Sequence, residues 1–383
     1  MRRIFSVSLI LILTISACQK RGSPVEYLTE NGIDVVASDP GRDKAHQPKI
    51  FGLEQELRID LSATDLVQRG LTDPAAFDVD SEGNIVVWSQ SSNDLGLFKF
   101  SSRGVFLSAF GRTGQGPGEV QFLTSVFFDA DDELMVVDSQ QRKTIIFDGN
   151  GVFLRQNPLS KRPAVIMPLK NGHYVTVEQR SIPGEVFNRI TIDICGPDLH
   201  SIKEIGQRKY YRPNPERRFP AINPTGLIGI SKNYVFFGDS ENGYEIKCFE
   251  KSGRLRRIIR KVHRPVPLSA DNREDLVKKY ERFPPEIRNN VEYPDVLPPF
   301  QTGFADEEDR LFVMTYEGSG AEGHYWHDIF DKDGVFAGRV SIANYGTYGK
   351  SRGVLFTLAR EGRIYHFREN RDGFKELVIW KMK

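Results

Sequence analysis

Six residues at equivalent places in a repeated pattern could do chemistry together: Trp88, Asp138, Glu178, Gly238, Thr315 and Arg368 each close a short apolar run. Carboxylate and hydroxyl oxygens gathered at one point are the donors a Ca²⁺ ion takes, and the same ring could collect a polar ligand. The loops that follow, including Asn93-Asp94, Ser139 to Arg142 and Asp239 to Asn242, add further polar groups. The competing reading is structural, with these residues hydrogen-bonding one repeat to the next and Asp138 pairing locally with Arg142. His324 and His327 are three apart on a strand-like segment, so they point to opposite faces rather than at one Zn²⁺. No Gly-x-Ser-x-Gly elbow is present. The ligand-binding candidates are therefore Trp88, Asp138, Glu178 and Arg368, with no catalytic residue and no metal ligand assigned.

A fifth candidate is Arg112, in the glycine-rich segment Phe110-Gly-Arg-Thr-Gly-Gln-Gly-Pro-Gly-Glu-Val-Gln-Phe122. Successive backbone N–H groups in such a loop can form a nest for an anion, helped by Arg112. The bland alternative is an irregular crossing between two sheets, for which glycine supplies the conformational freedom. No Gly-Lys-Ser/Thr follows, so the segment is not a nucleotide phosphate loop.

Positioning these residues falls to a cassette of short strands that recurs along the chain. Second strands align at Ile85–Trp88, Leu134–Asp138, Tyr174–Glu178, Tyr234–Gly238, Leu311–Thr315 and Ile364–Arg368. Third strands align at Leu97–Phe100, Thr144–Phe147, Ile190–Ile194, Tyr244–Phe249, Tyr325–Phe330 and Glu376–Trp380, and Gly104, Gly151, Gly253 and Gly334 mark tight turns into the fourth. Repeated four-stranded units that bury their faces only against one another predict an all-β, six-bladed β-propeller. The last cassette stops one strand short, and residues 56–61 have none of their own. Pairing these N-terminal residues into the last blade closes the ring and removes an exposed edge. One insertion, about 264–300, breaks the pattern: Asp271 with Glu274 reads as a capping box for a helix to about Arg282, and Pro285 starts a second. This excursion is either a lid over one mouth or a packing patch.

At 383 residues, 39% hydrophobic and 11% aromatic, the chain can bury a large core, and a net charge of +1 gives no drive toward nucleic acid. The run Lys251 to Arg264 is locally basic, which predicts a solvated outer rim or contact with an acidic glycan or lipid head groups. Arg2-Arg3, the apolar stretch Ile4 to Ile15 and small residues before Cys18 form an export signal. This segment resembles a bacterial lipoprotein signal with the lipobox Ile15-Ser16-Ala17-Cys18. That resemblance implies cleavage after residue 17, lipidation of Cys18, and, with Gln19 following, an outer-membrane address. Residues 18–50 then read as a lipidated tether, and 51–383 as the propeller. Cys195 and Cys248 occupy equivalent strands one repeat apart, about 15 Å in such a ring against the ~7 Å a disulfide spans, so both are expected as free thiols.

The glycine-rich segment resembles the Gly-Arg-x-Gly-x-Gly-Pro-Gly-Glu-Phe stretch of a group of exported bacterial six-bladed propellers related to NHL-repeat proteins, with Val120 standing for the usual Phe. Tyr293-Pro-Asp-Val-Leu-Pro-Pro-Phe300 before an acidic turn is a second resemblance. Together they imply the same fold over residues 51–383, and no shared catalytic set. The expected role is a membrane-anchored binding module for an envelope protein or a glycan, with no cofactor beyond a possible Ca²⁺. The alternative is a metal-dependent lactonase, esterase or lyase using the channel. Lactonases of this architecture hold an axial Ca²⁺ with Glu, Asn and Asp, a set that is not evident here.

Overall fold

The computed structural model describes residues 24–42, 48–90, 95–169, 172–343, 357–369 and 373–383. Cys18 and its signal, Asn93-Asp94 and the expected strand 353–356 lie outside them. Six antiparallel sheets follow in chain order. Blade 1 is Pro74–Val79, Ile85–Gln90, Leu95–Phe100 and Phe106–Phe110; blade 2 is Leu123–Phe128, Leu134–Asp138, Lys143–Phe147 and Phe153–Pro158. Blade 3 is Val165–Pro168, Tyr174–Ser181, Phe187–Cys195 and Ser201–Tyr211; blade 4 is Gly226–Ile230, Tyr234–Asp239, Glu245–Glu250 and Leu255–Lys261. Blade 5 is Thr302–Ala305, Leu311–Gly318, His324–Phe330 and Phe336–Ala343; blade 6 is Thr357–Arg360, Arg363–Glu369 and Lys375–Met382.

The N-terminal strand Leu53–Asp60 completes blade 6, antiparallel to Lys375–Met382 with Leu57 opposite Ile379. Burial explains why the ring closes. Alternate residues of each strand face a neighbouring blade, giving one apolar cluster at each of the six junctions. Phe98, Phe100 and Leu377 fill the 6–1 junction, Trp88 and Leu134 the 1–2 junction, and Phe127 and Ile166 the 2–3 junction. Ile192 and Phe237 fill the 3–4 junction, Phe300 and Phe330 the 4–5 junction, and Phe312 and Trp380 the 5–6 junction. Each fully buried Phe or Leu contributes about 2–3 kcal/mol. The turn glycines behave as expected: Gly151 sits at φ 85°, and a Cβ there would meet the Phe110 ring at 2.4 Å.

Three expectations are corrected. First, residues 18–50 are not wholly a tether, since Val25–Glu30 and Ile33–Ser38 form a hairpin that adds to blade 4. Ile33–Ser38 runs parallel to Leu255–Lys261, while Ile50–Phe51 runs parallel to the outer strand of blade 5. Asn31 and Gly32, both at positive φ, make the tight turn, and Val35 and Val36 are buried. Residues 25–42 and 48–60 thus lie as a belt along the outsides of blades 4, 5 and 6. Second, the basic run is a solvated rim only in part: the hairpin pairs along its strand, Arg256 meets Asp34 (2.9 Å), Arg260 meets Glu30 (2.6 Å) and Glu245 (2.8 Å), and Lys261 is buried, while Arg254 and Arg264 stay exposed. Third, the helix Ala270–Glu281 is capped by Ser269, whose Oγ accepts from Asn272 N (3.2 Å), while Glu274 pairs with Lys278. The short helix Pro285–Arg288 follows. Leu276 and Tyr280 pack on Phe219 and Ala221, and Tyr280 Oη donates to Ala221 O (3.1 Å), so the insertion is a packing patch on the segment before blade 4. Cys195 and Cys248 are free and buried. Among the described residues no helix is long and apolar enough to cross a membrane.

Candidate functional site

Antiparallel strand order puts the ends of all second strands on one face of the ring, together with the loops that lead from each blade to the next. That face carries the candidate residues, yet their side chains are engaged within and between blades. Trp88 is packed in the 1–2 junction with Leu97 and Leu123. Asp138 is wholly buried and accepts from Gln121 N (2.6 Å), Gln141 N (2.9 Å) and Gln141 Nε2 (2.8 Å). Gln141, rather than Arg142, is its local partner, and also donates to Gly114 O (2.9 Å).

Glu178 is held by Lys161 (2.7 Å) and Arg180 (2.7 Å). Burial is the largest influence on its pKa and pushes it up, but the two cations together outweigh it and hold the carboxyl below its usual range. Arg368 Nε bonds Glu376 Oε1 (2.6 Å), and Glu376 also takes Arg58 from the closing strand. Arg112 Nε meets Glu119 Oε1 (2.9 Å), and Gly116 N donates to Glu119 Oε2 (2.9 Å). A Cβ on Gly114 would lie 2.0 Å from that oxygen, so the glycine-rich nest is filled by the chain's own carboxylate. Thr315 Oγ1 donates to Trp326 O (2.9 Å). Among the described residues no three His, Cys, Asp or Glu side chains converge as a metal site would require.

The densest polar arrangement lies at the junction of blades 4 and 5, where sequence reasoning did not look. Asp328 is completely buried and accepts from Tyr244 Oη (2.7 Å) and Lys261 Nζ (3.0 Å) through Oδ2, and from Arg339 Nε (2.8 Å) through Oδ1. Arg339 reaches on to Glu317 with a two-pronged bond of 2.7 and 3.1 Å. Two cations and two carboxylates balance, which is what makes the burial tolerable. Burial, then the neighbouring Asp328, raise the Tyr244 pKa well above the usual phenol, so it stays a donor. Burial, then Lys261, lower that of His263, whose ring is 5.8 Å from that of Tyr244. A signal was present in the sequence: Asp328 stands within the otherwise largely aromatic and apolar third strand His324–Phe330, and Lys261 ends a fourth.

This network floors two openings. A narrow one is walled by His263, Thr315, Tyr316, Glu317 and Pro298-Pro299 of the insertion. A wider cleft of about 320 Å³ lies between the N-terminal hairpin and blade 4, walled by Glu26, Asp39, Arg42, Asn242, Tyr244 and Arg260. Its walls carry both charge signs, with Arg42 paired to Glu26 and Asp39 and Arg260 paired to Glu245. Such a cleft offers fixed donors and acceptors, and it is large enough for a small molecule.

Comparison with known proteins agrees with the architecture. Residues 79–192 match the family model DUF5128, described as a 6-bladed beta-propeller. BF0058 of Bacteroides fragilis, assigned as an exported protein, superposes with a TM-score of 0.52 at 13% identity, covering 91% of this chain and 99% of that one. A DUF4221 member from Bacteroides vulgatus gives 0.47 at 9% identity (88% and 99% covered), and the gluconolactonase XC5397 of Xanthomonas campestris gives 0.40 at 11% (88% and 99%). No curated protein matches the sequence. Six blades, six apolar junctions and a ring closed by the two chain ends make this chain a six-bladed β-propeller.

Proposed function

We propose that the protein is an exported, lipid-anchored binding module that takes a small polar ligand in the cleft between its N-terminal hairpin and blade 4. The observation that carries this reading is the cleft itself: a space of about 320 Å³ walled by both charge signs above a buried, fixed network. Preformed walls of this kind bind without paying to order themselves. The lipid anchor at Cys18 rests on the lipobox and the apolar run before it, and export is in keeping with BF0058, which shares the fold.

Two experiments test it. Thermal shift of the purified chain against panels of sugars and amino acids should find a ligand whose shift is lost in Asn242→Ala and reduced in Tyr244→Phe. If no small polar compound raises the midpoint, or the variants respond as the parent does, the cleft is not the site. Incorporation of an alkyne-tagged fatty acid should be abolished by Cys18→Ala, and labelling that survives the substitution rules the anchor out. A lactonase activity lost together with a tightly bound metal on chelation would replace the binding reading with a catalytic one.

A further inference from the structure

We propose that the overhanging end of blade 3 binds an acidic polysaccharide, at a surface that shares no residue with the cleft above. The overhang comes from strand length. The outer three strands of blade 3 have 8, 9 and 11 residues, against 5, 5 and 6 in blade 2. Because its innermost strand, Val165–Pro168, has only four residues, the far end of the other three extends past it.

Register then sets the chemistry. Arg180 is opposite Arg189, and Arg189 is opposite Lys209, so three cations stand in one row across three strands. Like charges directly opposite each other are destabilising. The two ends of the row are relieved, Arg180 by Glu178 (2.7 Å) and Lys209 by Glu241 (3.7 Å). Arg189, exposed at the centre, has no ion-pair or hydrogen-bond partner among the described residues. Residues 179–190 and 207–218 together hold seven Arg and Lys against two Glu, in a chain of net charge +1. The next rung on the same face is Phe187 opposite Tyr211, rings 5.8 Å apart and edge-on, with Lys209 Nζ 5.6 Å from the Phe187 centroid.

Strands lie about 4.8 Å apart, so the cations repeat at roughly the length of one sugar unit. A chain of sugar acids presents a carboxylate on every ring for the row, and apolar ring faces for the aromatic rung. An acidic peptide supplies the charge without the ring, and a membrane surface supplies neither the pitch nor the ring. The charge imbalance sits here and not on strand 255–261, whose arginines are already paired, Arg256 and Arg260 to the N-terminal hairpin and Arg257 to Asp333.

Calorimetric titration with polygalacturonate at low salt tests the assignment, with methyl-esterified polygalacturonate, polyglutamate and phosphatidylglycerol vesicles as comparisons. Polygalacturonate should bind, more weakly as salt rises, and should lose its affinity on esterification. Arg189→Gln should weaken binding about 3–10-fold, and Gln at all three positions more than about 10-fold. Arg189→Gln should also unfold at a midpoint no lower than the parent, because it removes a repulsion. The proposal is overturned if polygalacturonate does not bind, if the triple variant binds it unchanged, or if the esterified polymer binds equally. It is likewise overturned by tighter binding to polyglutamate or to vesicles, which would assign the row to an acidic protein segment or a lipid surface.

Discussion

At the scale of single residues, the face at the second-strand ends is built mostly from pins, with the buried Trp88 Nε1, which has no hydrogen-bond partner among the described residues, as an exception. Asp138 closes three hydrogen bonds between two loops, so Asp138→Ala, which leaves half-buried donors without their acceptor, should cost about 1–3 kcal/mol in urea unfolding. The contact between Glu178 and Arg180 adds little because Arg180 is largely in solvent, so the cost of Glu178→Gln should come mainly from its bond to the less exposed Lys161. Two buried histidines make a second test. Burial lowers the pKa of His327 to about 4, and burial with nearby His327 lowers that of His366 to about 3. Both are neutral in the fold, whereas the unfolded chain takes up protons below about pH 6.5. Their stability contribution is therefore intact above pH 6.5 and is lost as pH falls from there toward 4. Between pH 7 and 5 the urea midpoint should drop in the parent and fall less steeply in His327→Leu, and an unchanged slope would exclude the histidine as a source. The candidate residues were legible by position, since the strand alignment placed Asp138, Glu178 and Arg368 on their observed strands. Two of their partners were not, because Gln141 and Lys161 come from loops that no periodicity aligns with them, whereas Glu376 opens the third strand directly opposite Arg368.

At the scale of elements, strands with strong alternation were readable nearly to the residue, and what failed was the assignment of short polar stretches. The N-terminal hairpin carried an Asn31-Gly32 turn between two alternating runs, a strong local signal that its position next to a segment read as an export signal obscured. Docking of that belt onto blade 5 depends on a bare backbone. A Cβ at Gly338 would lie 2.3 Å from Lys49 O, the oxygen that Arg339 N bonds at 2.8 Å. Gly338→Ala should lift residues 49–51 from the blade, seen as faster hydrogen exchange at the Arg339 amide, with protection unchanged in blades 1 to 3. The helix Ala270–Glu281 was legible from its proline stop and apolar spacing, though its cap was placed two residues late, at Asp271 instead of Ser269. Ser269→Ala should cost about 1 kcal/mol and leave the ring intact.

At the scale of the whole molecule, the ring is held shut where its two ends meet. Arg58 of the first closing strand and Arg368 of blade 6 both seize Glu376, adding charge to a ladder of backbone bonds. Leu57→Pro removes a ladder donor in mid-strand and should cost about 3 kcal/mol or more, read as a lower thermal midpoint. An unchanged midpoint would mean that the ring does not depend on this seam. Blade number and closure followed from counting cassettes, because an unpaired strand at each end has few other places to go.

The belt also sets an order of events during synthesis. Asp34 meets Arg256 across 222 residues, and Arg58 meets Glu376 across 318. Asp34 and Arg58 are thus made well before the partners that seat them, and stay unpaired until those strands of blades 4 and 6 exist. Such long-range pairing is slow. Whatever keeps the N-terminal strands extended until Glu376 has been made therefore favours correct seating of the belt.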